Sequence, residues 1–137
     1  MLMMIWPMLK GSYYKMSGPA PADGIPWKTD YAAALAESQK TGKPLLLDFT
    51  ASWCPPCQVM KHEVWPQPEV REAIVANYIP VLLDIDQPGS ADAARRYDVS
   101  SIPAVFVVNG DGEVLRAGSF KNKAQMLKFL KPPATAG

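Results

Sequence analysis

The sequence predicts an α/β protein whose central mixed β-sheet is flanked by helices on both faces. Apolar runs of strand length alternate with helical segments from residue 31 to residue 109, which indicates parallel strand connections. The turn signal NGDG at residues 109–112 then predicts a hairpin with an antiparallel return strand. A length of 137 residues suits one domain with a real core and not two.

The first elements are a helix and a buried strand. The helix covers residues 31–40, and Thr29 or Asp30 can cap its start. Gly42 is suited to end it. The apolar run over residues 44–51 follows, and a continuous run of this length is typical of a strand buried on both faces.

A second helix opens at Cys54 and continues through His62, and Pro66 and Pro68 end or kink it. The rest of the domain continues the alternation. Its predicted elements are a helix over residues 69–78, a strand over 79–86, a helix over 90–97 capped by Ser90, a strand over 104–109, a return strand over 113–118 and a helix over 122–131.

Both chain ends are expected to lie outside the domain, which spans residues 27–131. Residues 1–9 are apolar but too short for a bilayer, which takes roughly 20 residues, and they lack the basic region and cleavage site of a secretory signal. They are interpreted either as the end of a membrane anchor or truncated signal, or as a sticky leader. Residues 18–26 predict a Pro/Gly linker that completes the segment 1–26, and residues 132–137 predict a flexible tail.

Composition narrows the class of function. The formal net charge is +1 and no long basic run occurs, so the chain lacks the electrostatic footprint of a nucleic-acid-binding protein. Two cysteines cannot form a disulfide scaffold, so the core must hold the fold.

The two cysteines, Cys54 and Cys57, have three interpretations. A structural metal site needs four ligands, and the single histidine, His62, is rotated away from Cys57 on the predicted helix. Two buried thiols fit poorly at an exposed strand-to-helix turn that carries Trp53 and two prolines. A redox pair has a mechanism, because sulfurs at i and i+3 of a first helical turn can bond. The helix N-terminus then stabilises a thiolate at Cys54, and the shielded Cys57 resolves a mixed disulfide.

The prolines between the cysteines bear on reactivity. Pro55 and Pro56 have no N–H, so only Cys57 among the next three residues can donate a backbone hydrogen bond to the Cys54 sulfur. A less stabilised thiolate implies a more stable disulfide and a more reducing couple.

Three stretches resemble thioredoxin-fold proteins. LLLDFTASWCPPC at residues 45–57 resembles their active-site strand and turn, and SSIPAVFVVNGDGEV at residues 100–114 resembles their Ile-Pro segment, strand and glycine turn. Gly118 matches the glycine before their last helix. TGKPLLLDF and MKHEVWPQPEV resemble one branch, which includes the C-terminal domain of DsbD-type transmembrane thiol reductases and related extracytoplasmic proteins. The resemblance covers most of the chain and implies a thioredoxin-like fold.

The resemblance implies roles for individual residues. Cys54 corresponds to the nucleophile and Cys57 to the resolving thiol. Trp53 would pack beside the disulfide, Pro103 would be a cis-proline facing the cysteines, and Ile102 would offer its backbone to an extended substrate segment.

Asp48 matches the family's buried acid beneath the resolving cysteine. The apolar residues around it in the strand indicate that it is enclosed, so its carboxyl could relay a proton to or from the resolving thiol. Leu82 stands where thioredoxins have a lysine near this acid, which would bias Asp48 further toward its neutral form. Pro55 replaces a common glycine, and Pro55 and Pro56 are assigned to the substrate-contacting surface.

The expected function is that of a thiol:disulfide oxidoreductase that reduces or exchanges protein disulfides through its Cys-Pro-Pro-Cys dithiol. It needs no organic cofactor or metal, an unidentified thiol supplies its electrons, and it is a monomer. The expected location is extracytoplasmic, in the bacterial periplasm, with membrane tethering through the leader as one variant and the cytoplasm as the alternative. Two other functions remain open: an oxidase or isomerase in oxidative protein folding, and a dithiol metal-binding or chaperone module.

Overall fold

The computed structural model describes Leu9 and residues 22–132. Residues 22–132 form five helices and four strands. In chain order these are α1 (Tyr31–Thr41), β1 (Leu45–Thr50), α2 (Pro55–Glu63), α3 (Pro68–Asn77), β2 (Ile79–Asp84), α4 (Pro88–Arg96), β3 (Ala104–Val108), β4 (Val114–Gly118) and α5 (Lys123–Leu130).

The strands form one mixed sheet in the order β2-β1-β3-β4. β1 and β2 are parallel, whereas β3 is antiparallel to both of its neighbours, β1 and β4. The hairpin turns at Asn109, whose side-chain oxygen accepts the N–H groups of Asp111 and Glu113. Gly112 lies in the left-handed region with φ of 81°, a conformation that favours glycine. The predicted mixed sheet with a terminal hairpin is therefore confirmed.

The two faces of β1 build two separate parts of the core. Every residue of β1 is buried, as the continuous apolar run predicted. Because side chains alternate along a strand, Leu46 packs with residues of α2, α3 and α5, whereas Leu45, Leu47 and Phe49 pack with residues of α1 and α4. The helices therefore cover both faces of the sheet, and α2 lies on the same face as Leu46.

The ends of α1 follow the predicted capping chemistry. Of the two candidate caps, Asp30 occupies the N-cap position and accepts the N–H of Ala33 at 3.0 Å. Gly42 ends the helix in the left-handed conformation, with φ of 79°, and donates its N–H to the Ser38 carbonyl.

Two helix starts differ from the prediction because proline sets them. α4 begins at Pro88 rather than at Ser90, and the predicted cap Ser90 is buried inside the helix with Gln87 at the N-cap. α3 likewise begins at Pro68. Proline suits the first helical position, since its φ is already helical and its missing N–H would have no partner there.

Residues 22–28, here called the N-terminal segment, lie against the domain. Ile25 is 7% exposed and belongs to the core on the α2 side of the sheet. Lys28 bridges to β2, donating its N–H to the Pro80 carbonyl and accepting the N–H of Leu82. Residues 23–26, which the sequence placed in the linker, thus contact the domain.

The ends of the chain are described only in part. The predicted leader apart from Leu9, the first part of the linker, and residues 133–137 of the predicted tail lie outside the described residues. Within the part that is described, no helix is both long enough and apolar enough to cross a membrane.

Candidate active site

Cys54 and Cys57 lie where β1 passes into α2. Cys54 is the N-cap of α2, and Pro55 and Pro56 occupy its first two positions. The two cysteines form a disulfide across this first turn, with their Cα atoms 5.3 Å apart. The N–H of Cys57 donates a hydrogen bond to Sγ of Cys54 at 3.3 Å. The predicted bond between sulfurs at i and i+3 is confirmed.

The exposure of the two cysteines does not distinguish them. Both are 2% exposed in this disulfide state, so Cys54 is as enclosed as Cys57. Cys57 is shielded, as the sequence predicts, and in the oxidised form Cys54 is enclosed to the same extent. What separates the pair is the hydrogen bond that Cys54 alone receives from the helix.

The Ile-Pro segment lies directly across from the disulfide. The Ile102 carbonyl oxygen is 3.8 Å from Sγ of Cys54, and the Ile102–Pro103 peptide bond is cis. Pro103 is buried, whereas Ile102 is half-buried and packs against the two cysteines. The structure thus brings residues 102 and 103 together with the cysteine pair, although they are about 45 positions apart in sequence.

Trp53 borders an apolar groove beside the disulfide. The residue is 51% exposed, and its indole N–H donates to a carboxyl oxygen of Asp86 at 3.0 Å. The groove has a volume of about 380 Å³. The groove is lined by Trp53, by Ile85 after β2, by Ala91 and Ala94 of α4, and by residues 99–102.

Asp48 is enclosed on the α2 side of β1. It is 3% exposed, and its neighbours in register are Leu82 on β2 and Val105 on β3. Burial raises the pKa of Asp48 to about 7 from an ordinary value of 3.8, because desolvation disfavours the charged carboxylate. The sequence prediction of an enclosed acid facing Leu82 instead of a lysine is confirmed.

A cation acts on Asp48 nevertheless, and it belongs to α2. The ammonium of Lys61 lowers the pKa of Asp48, opposing the larger effect of burial. The indole of Trp65 also lowers the pKa of Asp48, although its N–H makes no hydrogen bond of normal geometry. The carboxylate of Asp23 acts in the opposite direction and raises the pKa.

The family model described as Thioredoxin-like matches residues 26–110. This is more than half of the chain, and it contains the disulfide, Asp48 and the Ile-Pro segment. The chain belongs to the thioredoxin-like family.

Curated relatives include both large and small thioredoxin-like proteins. The thiol:disulfide interchange protein DsbD 1 of Pseudomonas aeruginosa is 33% identical over 109 residues, which cover 77% of this chain and 17% of that protein. The thioredoxin of Chlamydia trachomatis is 33% identical over 87 residues, which cover 63% of this chain and 78% of that protein. The match thus covers most of the small thioredoxin but less than a quarter of the DsbD relatives.

Two solved structures superimpose on this chain and share its fold. A thioredoxin from Thermus thermophilus superimposes with a TM-score of 0.69 at 28% identity, covering 77% of this chain and 84% of the other. The oxidised C-terminal domain of DsbD from Neisseria meningitidis superimposes with a TM-score of 0.59 at 26% identity, covering 75% and 95%. Family, relatives and the disulfide together support thiol–disulfide oxidoreductase chemistry.

His62 is the one histidine of this thioredoxin-like chain. It is half-buried on α2 rather than fully solvated, and burial lowers its pKa. Among residues 22–132, no group of three or more histidine, cysteine, aspartate and glutamate side chains lies together as a metal site would require.

Sequence reasoning missed three side chains around the site: Lys61, Asp86 and Asp23. A signal for Lys61 existed, because it follows Cys57 by four positions and so shares its face of the helix. A signal for Asp86 also existed, since parallel strands end at the same edge of a sheet and Asp86 follows β2 as Trp53 follows β1. No local signal places Asp23 near Asp48.

Proposed function

We propose that this protein reduces or exchanges disulfides in other proteins through Cys54 and Cys57. The observation that carries the proposal is the disulfide across the first turn of α2, with the Cys57 N–H bonded to the Cys54 sulfur. In the reduced protein this N–H and the positive end of the helix stabilise a thiolate at Cys54.

The reaction proceeds in two exchanges. The Cys54 thiolate attacks one sulfur of the substrate disulfide, which breaks that bond and releases the other substrate sulfur as a thiolate that takes a proton. Cys57 then loses its proton and attacks Sγ of Cys54, which breaks the mixed disulfide and releases the second substrate thiol. The dithiol has lost two electrons and the substrate has gained them.

Asp48 serves the second exchange as the proton acceptor for Cys57. A carboxyl with a pKa of about 7 is partly ionised at neutral pH, so it can take a proton in one cycle and return it in the next. Lys61 stabilises the ionised form in the role that a strand lysine has in thioredoxins.

The substrate is an extended segment of another protein. Its backbone pairs with that of Ile102, its disulfide meets Cys54, and apolar side chains on one side of it enter the groove beside Trp53. Pro55 and Pro56 contact the same segment at the rim of the site. No organic cofactor or metal takes part in the exchange.

The direction we favour is reduction, with an external thiol donor that regenerates the dithiol. The single N–H donor to Cys54 leaves the thiolate less stabilised than in an oxidising protein. The protein acts as a monomer outside the cytoplasm, as its resemblance to DsbD-type domains implies, and its N-terminal leader can contact a membrane.

The test is a trapping experiment combined with redox titration. The variant Cys57→Ser, in its reduced form, is expected to accumulate a mixed disulfide with a disulfide-containing model substrate such as insulin, and the matched variant Cys54→Ser is not. The wild type is expected to reduce insulin with a thiol donor.

Trapping by Cys54→Ser alone would reverse the roles of attacking and resolving cysteine. An equilibrium potential near −120 mV would favour the oxidase alternative. Stoichiometric metal in reduced protein purified without chelator would favour the metal-binding alternative.

The role of Asp48 has its own test. Asp48→Asn is expected to slow decay of the mixed disulfide near neutral pH more than it slows the first attack, because only the second exchange needs a proton acceptor at Cys57. Equal slowing of both steps would argue against the relay.

A further inference from the structure

The N-terminal segment is held in one conformation by Asp23. One carboxyl oxygen of Asp23 accepts the backbone N–H of Ile25 at 2.9 Å, and the other accepts the indole N–H of Trp27 at 2.9 Å. The side chain of Ile25 packs into the core on the α2 side of the sheet. Both oxygens of Asp23 are therefore used to fix the segment and the Trp27 ring.

Trp27 in turn contacts a core residue on the side of β1 that carries the buried acid. The rings of Trp27 and Trp65 meet edge to face, with centroids 5.2 Å apart. Trp65 is 1% exposed and packs in the core on the face of β1 that carries Asp48, whose pKa it lowers. Contacts thus lead from Asp23 through Trp27 to Trp65, which lies on the same side of β1 as Asp48.

We propose that Asp23 is a positioning residue of the thiol–disulfide site: it fixes Trp27 against Trp65 on the side of the sheet where Asp48 is buried, and its carboxylate opposes the Lys61 cation at Asp48. The inference deepens the proposed function, because it rests on Asp48 as the proton acceptor for Cys57. It makes the N-terminal segment a part of the site rather than a linker.

The charges around Asp48 determine whether removal of Asp23 raises or lowers the pKa of Asp48. α2 contributes the Lys61 ammonium, the turn after α2 contributes the Trp65 N–H, and the N-terminal segment contributes the Asp23 carboxylate. The neighbouring strands contribute only the apolar Leu82 and Val105 at this register. Asp23 is therefore the negative charge that opposes Lys61, and its removal leaves the cation unopposed.

The experiment measures the titration of Asp48 directly, by NMR of carboxyl-labelled aspartate in the full chain. Asp23→Asn removes the charge at nearly constant volume, and it is expected to lower the pKa of Asp48 by roughly half a unit. Asp30→Asn is the matched control, because it removes an equal charge from the N-cap of α1 and is expected to leave the titration unchanged.

A second variant tests the connection through the indole. Trp27→Phe keeps a ring against Trp65 and keeps the Asp23 charge, but it frees one carboxyl oxygen of Asp23. We expect a smaller downward shift of the pKa of Asp48, since the carboxylate is no longer held in place. Asp23→Glu, which restores the charge, is expected to recover most of the wild-type titration.

The outcomes separate the inference from the proposed function. An unchanged Asp48 titration in folded Asp23→Asn, or in Trp27→Phe should the first variant not fold, would overturn the inference even if insulin reduction were normal. Reduced thermal stability with no change in titration would show a structural role only. A shifted titration in a protein that reduces no disulfide would support the coupling and refute the proposed function.

Discussion

The backbone N–H of Cys57 donates to Sγ of Cys54 at 3.3 Å, and no other N–H of the first turn of α2 competes with it, because the two intervening residues are prolines. Side chains at an N-cap accept from the second and third N–H groups of a helix. Pro56 occupies the second position and Cys57 the third. Pro56 therefore removes an N–H that could donate to the Cys54 sulfur, whereas Pro55 removes one that would not reach it.

Replacing the prolines one at a time tests this difference. Pro56→Ala is expected to restore an N–H that points at Cys54, to stabilise its thiolate and to raise the reduction potential by about 30–65 mV, on the scale of one hydrogen bond to a charged group. Pro55→Ala restores an N–H at the first position, which does not reach the cap, and is expected to change the potential little. Equilibration with glutathione measures both, and equal shifts in the two variants would contradict this account.

The wild-type potential is a prediction of its own. With one N–H donor to Cys54, we expect a value nearer the thioredoxin end of the scale, roughly −220 to −270 mV. Equilibration against glutathione or dithiothreitol with mass spectrometry of alkylated protein gives the number. A value near −120 mV would contradict the reducing direction.

Asp48 makes stability depend on pH with a defined sign. Burial raises its pKa from 3.8 to about 7, so between these values the folded state binds more protons than the unfolded state. Stability is therefore expected to fall as pH rises from about 4 to 7, by up to about 4 kcal/mol from this group. In urea unfolding, the free energy of unfolding of Asp48→Asn is expected to lack this fall between pH 4 and 7, whereas that of the Asp30→Asn control keeps it.

Lys61 sets the pH at which Asp48 ionises. Lys61→Met keeps most of the apolar stem and removes the ammonium that lowers the pKa of Asp48, so this pKa is expected to rise. The pH midpoint for decay of the mixed disulfide should rise with it. Lys40→Met, at the exposed end of α1, is the control. A midpoint that stays in place in Lys61→Met would show that the cation does not act on Asp48.

Truncation distinguishes the leader from the N-terminal segment. Deletion of residues 1–21 is expected to leave insulin reduction nearly intact, as the sequence predicts for a leader and linker. Deletion of residues 1–25 also removes Asp23 and the buried Ile25, and it is expected to lower the free energy of unfolding by roughly 3 kcal/mol. Equal stability of the two truncated chains in urea would contradict a structural role for the segment.

Much of the fold and the centre of the site could be predicted from the sequence, because local chemistry determines them. Apolar runs predicted β1 and β2, the NGDG turn predicted the hairpin, and Asp30 and Gly42 marked the ends of α1. The position of Cys54 and Cys57 at a strand-to-helix junction was visible for the same reason. Proline was misjudged, since its preference for the first helical position moved the start of α4 to Pro88.

Only the tertiary structure decided what surrounds Asp48. Periodicity predicts that a strand residue is enclosed, but it does not state which charges face it across the core. Lys61 acts on the pKa of Asp48 because α2 packs on that side of β1, and Asp23 acts on it because Ile25 anchors the N-terminal segment in the same core. Electrostatic effects depend on distance and burial in three dimensions rather than on separation along the chain, so the proton affinity of this acid is a property of the packed domain.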